Sequence, residues 1–257
     1  LGVTVSTVVD LQKRIYGGKD CDPDERLYHV RLYRNPSSAI SDFFCGASLI
    51  SDQWILTAAH CYEPGWTMHA VLGVHPGPGE QVEIKEPPEF YTDTGKNNNQ
   101  RSHDIMLLKL PMATKIPPIA LPGSCNHPEV SVAGHAATAG GPNGERNPGE
   151  SPTLQCVDIE IVQCKVLRNH LRTNNPEQNH DTSNKHYICL TQGDSGGGVV
   201  YKNKLYGVMS FTGDMDHVCT APAAFMDICN QEYLKWIKDT IKKPKGKCGL
   251  LCGLGQT

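Results

Sequence analysis

Glycine and proline, 25 and 18 of the 257 residues, interrupt this chain so often that only short apolar runs remain between them. Both residues are poor in the interior of helices and strands and good in turns, so the punctuation points to brief strands joined by tight connections. The runs "FCGASLI" (44–50), "QWILTAA" (53–59), "HAVLGV" (69–74), "DIMLLKL" (104–110), "CVDIEIV" (156–162), "GGVVYKNKLYGVMSF" (197–211) and "AAFMDI" (223–228) all read as strands. Helical periodicity is convincing only in "NQEYLKWIKDTIKK" (230–243). There Tyr233, Leu234, Ile237 and Ile241 share one face and lysines occupy the other. The expectation is a β-rich protein closed by one C-terminal helix at about 231–242.

The proline-rich "KIPPIALPGS" (115–124) is a natural connector between two halves, while "PEFYTDTGKNNNQRSHD" (88–104) and "LRTNNPEQNHDTSNKH" (171–186) read as exposed loops. At 257 residues the chain can bury a substantial core, as one large β domain or as two sub-domains. Its formal net charge of −3 gives no electrostatic argument for nucleic acid, and no apolar run is long enough to span a membrane as a helix. The opening "LGVTVSTVV" reads as the remnant of a signal peptide or a propeptide, so residues 1–14 are set apart from the fold. Eleven cysteines are scattered rather than clustered, which favours disulfides and an oxidising compartment over zinc. The odd number leaves at least one cysteine free or joined to another chain.

Three stretches carry chemistry. "LTAAHC" (56–61) places His60 in a small-residue turn after a strand, "HDIMLLKL" places Asp104 at the mouth of an apolar strand, and "QGDSGG" (192–197) sets Ser195 among glycines. Each alone has an ordinary structural reading: a surface histidine, a capping carboxylate, a tight turn. Together they form a specific set. A serine hydroxyl becomes a useful nucleophile when a neutral imidazole takes its proton, and that imidazole needs a carboxylate to fix its tautomer. Glycines around the serine leave backbone N–H groups free to hold an oxyanion.

In that chain order, His…Asp…Ser, the sequence resembles the chymotrypsin/trypsin family of serine proteases from about Ile15 to Ile241. "RIYGG" (14–18) is similar to the family's activation cleavage site, and "SFT" (210–212) to the strand that pairs with substrate backbone. The resemblance implies two six-stranded antiparallel β-barrels, at about 28–115 and 125–230, with a C-terminal helix and a tail at 243–257. It implies Ser195 as nucleophile, His60 as general base and acid, Asp104 as orienting carboxylate, and the amides of Gly193 and Ser195 as oxyanion hole. Asp194 would receive the new α-ammonium of Ile15 after cleavage behind Arg14, so the uncleaved chain is expected to be a zymogen. Gln192, Ser210, Phe211, Thr212 and Ala223 would line the substrate site. The implied disulfides are Cys45–Cys61, Cys21–Cys156, Cys164–Cys189 and Cys125–Cys229, leaving Cys219, Cys248 and Cys252. Peptide or protein substrates, an activating protease and protein inhibitors are the implied partners, and secretion the implied location. No cofactor is implied: Val74 stands where calcium-binding relatives begin their carboxylate set.

The chain departs from the pattern just before the serine. Thr191 stands where the family usually has the cysteine that pairs with the equivalent of Cys219. Without a gap, Cys189 falls at the floor of the specificity pocket. With a gap, "HYICL" (186–190) matches the upstream cysteine strand and a short segment is missing. The gap is preferred, because it gives Cys164 its partner. Either alignment leaves no acidic residue at the floor, and Thr212 and Ala223 replace glycines at the walls, so cleavage after Arg or Lys is not expected. Ala136 and Tyr201 stand where many members carry another disulfide, and "TAGG" (138–141) where they carry tryptophan. The rival reading is a catalytically weak binding or regulatory protein on a protease scaffold.

Overall fold

The structure is a computed structural model and describes residues 19–34, 43–94, 100–123, 129–135, 151–160, 185–188, 194–211 and 223–242. Among the described residues the regular structure is fourteen strands (β1–β14), a short 3-10 turn and one helix, α1. The strands form two antiparallel sheets of seven strands each. The expectation was six apiece.

The amino-terminal sheet has the order β6-β5-β2-β3-β4-β8-β7. Its strands are β2 (His29–Arg34), β3 (Phe43–Leu49), β4 (Trp54–Thr57), β5 (Met68–Leu72), β6 (Glu80–Glu83), β7 (Glu89–Thr94) and β8 (Gln100–Lys109). The second sheet has the order β1-β10-β9-β12-β13-β14-β11. It is built from β1 (Lys19–Asp20), β9 (Glu129–Gly134), β10 (Gln155–Glu160), β11 (Lys185–Ile188), β12 (Gly198–Tyr201), β13 (Lys204–Phe211) and β14 (Ala223–Asp227). Strand β1 supplies its seventh member. It joins this sheet rather than the nearer one in sequence, pairing Lys19 with Cys156 beside the Cys21–Cys156 disulfide.

The segment 88–104, read from sequence as a loop, contains β7 and the first half of β8. Its polar residues alternate around Tyr91, which is buried while Phe90 and Thr92 are exposed, so the strand has one dry contact and an otherwise wet face. The apolar runs behave as expected. Ile105, Met106, Leu107 and Leu108 are wholly buried, and a single core joins them to Leu32, Leu49, Ile55, Leu56, Val208, Met226 and Ile237. Burying each such side chain is worth about 1.5–3 kcal/mol.

Helix α1 (Gln231–Ile241) starts where Asn230 accepts a hydrogen bond from the Glu232 amide, an N-cap that satisfies one of the open amides of the first turn. It buries Tyr233, Leu234, Ile237 and Thr240, with Ile241 only partly covered. Tyr91 of β7 seats it, packed edge-to-face against Tyr233 and Trp236 and donating its hydroxyl to Glu232 Oε2.

One reading changes register. Strand β12 pairs Val199 with Val132 and Val200 with Ser131, which carries Val130, not Ala136, toward Tyr201. The strand beside the serine turn is therefore 129–134, six positions earlier than the "TAGG" reading put it.

Candidate active site

His60 sits in the 3-10 turn Ala59–Cys61 that follows β4. The Cys45–Cys61 disulfide, buried at both ends, ties that turn to β3. Asp104 comes from β8, the neighbour of β4 in the sheet, so the two side chains meet across adjacent strands. The His60 ring Nδ1 lies 3.0 Å from each Asp104 carboxylate oxygen, and the His60 amide donates to Oδ1 at 3.0 Å. A carboxylate only accepts, so Nδ1 carries the proton and the neutral ring keeps its lone pair at Nε2. That is the tautomer a general base requires.

Asp104 has a third partner. The Ser210 hydroxyl donates to Oδ2. Ser210 is buried, and the β13–β14 register shifts at it, with Met209 opposite Phe225 and Phe211 opposite Ala224. The bulge falls at Ser210, whose side chain meets the carboxylate. Burial pushes the Asp104 carboxyl up. The hydrogen bonds from His60 and Ser210 outweigh that and hold it below the ordinary carboxylate value.

The turn that carries Ser195 lies directly on the amino-terminal sheet. The Gly46 amide of β3 donates to the Ser195 carbonyl at 2.8 Å, and the Gly196 amide donates to the Met209 carbonyl at 2.7 Å. Gly196 has φ +81, and a methyl group there would overlap Thr57 Oγ1 and the Gly46 carbonyl. Only glycine meets both demands at once. Cys61 Sγ lies 4.0 Å from His60 Nε2 and 4.0 Å from the Ser195 carbonyl, so histidine and serine flank the same sulfur. No hydrogen bond joins the Ser195 hydroxyl to His60 among the described residues.

Asp194, only 1% exposed, packs against Gly134 so closely that a Cβ at Gly134 would overlap its Oδ1. His135 follows Gly134 into the protein interior, while "TAGG" (138–141), read from sequence as the place of the family's tryptophan, lies outside the described residues. His29, from β2, stands with its ring 5.7 Å from that of His135. Burial drives both imidazoles toward neutrality. His29 is held well below the ordinary histidine value by desolvation and then by the charges of His135, Arg31, Arg26 and His75. His135 is pushed to about 4, chiefly by desolvation. Neither histidine stands out in the sequence, because what marks them is the contact between sheets.

Of the remaining expected residues, Phe211 ends β13 opposite Ala224 and Ala223 opens β14 opposite Ile188. Gln192, Gly193, Thr212, Arg14 and Ile15 lie outside the described residues, as do Cys125, Cys164, Cys189, Cys219, Cys248 and Cys252. Cys21–Cys156 and Cys45–Cys61 are both formed. Cys229 is disulfide-bonded as well. Strand β11, "KHYI", pairs with β14, and only residues 189–193 join it to Asp194. Among the described residues, two places bring three metal-ligand atoms together, His60 with Cys45 and Cys61 and Glu25 with Cys21 and Cys156. In both, the sulfurs are spent in a disulfide and offer no thiolate.

The family model for trypsin matches residues 15–237, nearly the whole chain. The chain belongs to the trypsin family. Among curated members, it is 30% identical to trypsin-4 of Rattus norvegicus over 262 residues, covering 94% of this chain and 95% of that one. It is likewise 30% identical to serine protease 1 of Canis lupus familiaris over 263 residues, at the same coverage. To kallikrein-8 of Homo sapiens it is 27% identical over 241 residues, covering 90% of this chain and 87% of that one. Trypsin-family membership accounts for the two sheets with their C-terminal helix and makes this a serine protease in kind. No described helix is long and apolar enough to cross a membrane.

Proposed function

We propose that this trypsin-family chain is the zymogen of a secreted serine endopeptidase that hydrolyses peptide bonds through an acyl-enzyme. The observation that carries the reading is the paired grip of Asp104 on His60, through the ring Nδ1 and the backbone amide, which leaves Nε2 as a base. His60 takes the proton of the Ser195 hydroxyl as its oxygen attacks the scissile carbonyl. The amides of Gly193 and Ser195 hold the oxyanion, and collapse expels the leaving amine with the proton returned by His60. Water then attacks the ester and regenerates Ser195. Cleavage behind Arg14 frees the α-ammonium of Ile15 for the buried Asp194, and breaking such a buried pair costs on the order of 3–5 kcal/mol. An activating protease makes that cut, and protein protease inhibitors are further partners of the cleaved enzyme.

The specificity pocket in this reading is atypical. The family resemblance puts no acidic residue at its floor and puts Thr212 and Ala223 where glycines usually stand, so small aliphatic side chains are the expected P1 residues. A second reading, a catalytically weak binding protein, is favoured by the brevity of the 189–193 connection, which leaves little chain from which to build a pocket wall. One experiment separates the two. Protein cleaved at Arg14–Ile15 is titrated with a fluorophosphonate probe. Stoichiometric labelling that disappears in Ser195→Ala supports the enzyme, and absence of labelling after verified cleavage supports the binding protein. A peptide-library digest then tests the pocket, where strong selection of Arg or Lys would overturn it.

A further inference from the structure

A second histidine–carboxylate couple lies back to back with the first. The side chain of His103, one residue before Asp104, is only 7% exposed, with its Nε2 3.0 Å from Asp93 Oδ2 of β7, an ion-pair contact rather than a hydrogen bond. Its Nδ1 lies 2.5 Å from the Tyr233 hydroxyl of α1. The ring is boxed edge-to-face by Tyr91 at 5.0 Å and Tyr233 at 5.4 Å. Consecutive strand residues point to opposite faces, so the side chain of His103 is held by the helix while that of Asp104 faces His60.

The backbone at this point needs such an anchor. Strand β8 pairs with β4 only from Met106 onward. Its pairing with β7 jumps from Ser102–Thr92 to Met106–Phe90. His103, Asp104 and Ile105 therefore have no register partner from either flanking strand among the described residues. The residue that orients the catalytic base is carried on a bulge, and bulges of this kind re-aim side chains at the cost of local ladder support. The interactions of the His103 ring stand where ladder pairs would otherwise fix the main chain.

We propose that His103 is a positioning residue that, gripped by Asp93 and Tyr233, sets the bulge carrying Asp104 and so couples docking of the C-terminal helix to the geometry of the His60–Asp104 pair. The catalytic consequence rests on the function proposed above; the geometric one does not. Displacing a catalytic group by about 1 Å commonly costs about a hundredfold in rate, so partial loss of this grip is expected to lower kcat about tenfold and leave KM within about twofold.

The test uses the full chain and two variants that keep the packing. His103→Phe retains a ring in the aromatic box without either nitrogen, and Tyr233→Phe removes only the hydroxyl. The decisive readout is the deshielded proton of His60 Nδ1 in the NMR spectrum, assigned by its disappearance in Asp104→Asn. In folded variants, as judged by thermal unfolding, this resonance is expected to move upfield or broaden. In cleaved protein the fall in kcat should accompany it. An unchanged resonance in both folded variants overturns the proposal, whatever happens to Tm, because a merely structural histidine would alter stability alone. Wild-type protein that neither hydrolyses peptides nor takes up the probe would sink the enzyme reading while the resonance still decides the role of His103.

Discussion

Asp104 is the residue at which most of the site's chemistry converges, and its surroundings give two predictions. It accepts from the ring and amide of His60 and from Ser210. Asp104→Asn substitutes an amide that presents N–H where an oxygen accepted, and the imidazole must then turn or adopt the other tautomer. In the enzyme proposed here, kcat of the cleaved protein should fall by roughly 10⁴-fold, as such substitutions do in serine proteases, with the fold intact by circular dichroism. Ser210→Ala should act more gently. Because the folded carboxyl is held below its ordinary value, the charged form stabilises the protein at neutral pH, and that contribution is lost as pH falls through the depressed value. Removing the Ser210 hydroxyl raises the folded value, so acid unfolding should begin at higher pH than in wild type. An unchanged acid midpoint would mean that the His60 contacts alone set the carboxyl's charge.

At the scale of elements, the serine turn depends on how closely it lies on β3. Gly196→Ala demands a left-handed alanine whose methyl overlaps Thr57 Oγ1 and the Gly46 carbonyl. The turn must lift, breaking the Gly46–Ser195 hydrogen bond, and a loss of about 2–4 kcal/mol in chemical denaturation is expected. Probe labelling of Ser195 should be lost with it. This turn, like the turn of His60, was legible in the sequence, because its glycines and flanking strand are local. The His60–Asp104 pairing was legible only through the resemblance, since nothing local shows that β4 and β8 are neighbours. The strand at 129–134 was misplaced for a related reason. "VSVAGH" and "AATAGG" offer similar small residues and a glycine, and what selects the first is the contact of Gly134 with Asp194, sixty residues downstream. Strand β7 went unseen because one buried ring, Tyr91, holds it against a helix at the far end of the chain. His103 escaped likewise, and Ser210, expected at the substrate site, was not seen as a partner of Asp104: the partners, Tyr233 and Asp104, lie over a hundred residues away.

For the whole molecule, the junction between the sheets makes stability depend on pH through His29 and His135. The two rings lie 5.7 Å apart, tilted to one another, in a region that also feels Arg26, Arg31 and His75, so protonating either places a poorly solvated cation among cations. A histidine whose folded value lies below its unfolded value favours the folded state fully only above the unfolded value, near 6.5, and the advantage is lost as pH falls from there. For His135, displaced to about 4, the loss runs between those limits and amounts to roughly 3 kcal/mol at the acid end. His29 adds to it in the same direction. Denaturant unfolding at pH 7, 5.5 and 4 should show a stepwise fall in midpoint, and His135→Asn, which cannot ionise, should flatten the curve between 6.5 and 4. Because Gly134 and Asp194 adjoin His135, the same acid loss should slow probe labelling of Ser195 in cleaved protein before global unfolding begins. A pH curve in His135→Asn that parallels wild type would assign the acid sensitivity to other groups and leave His135 as packing.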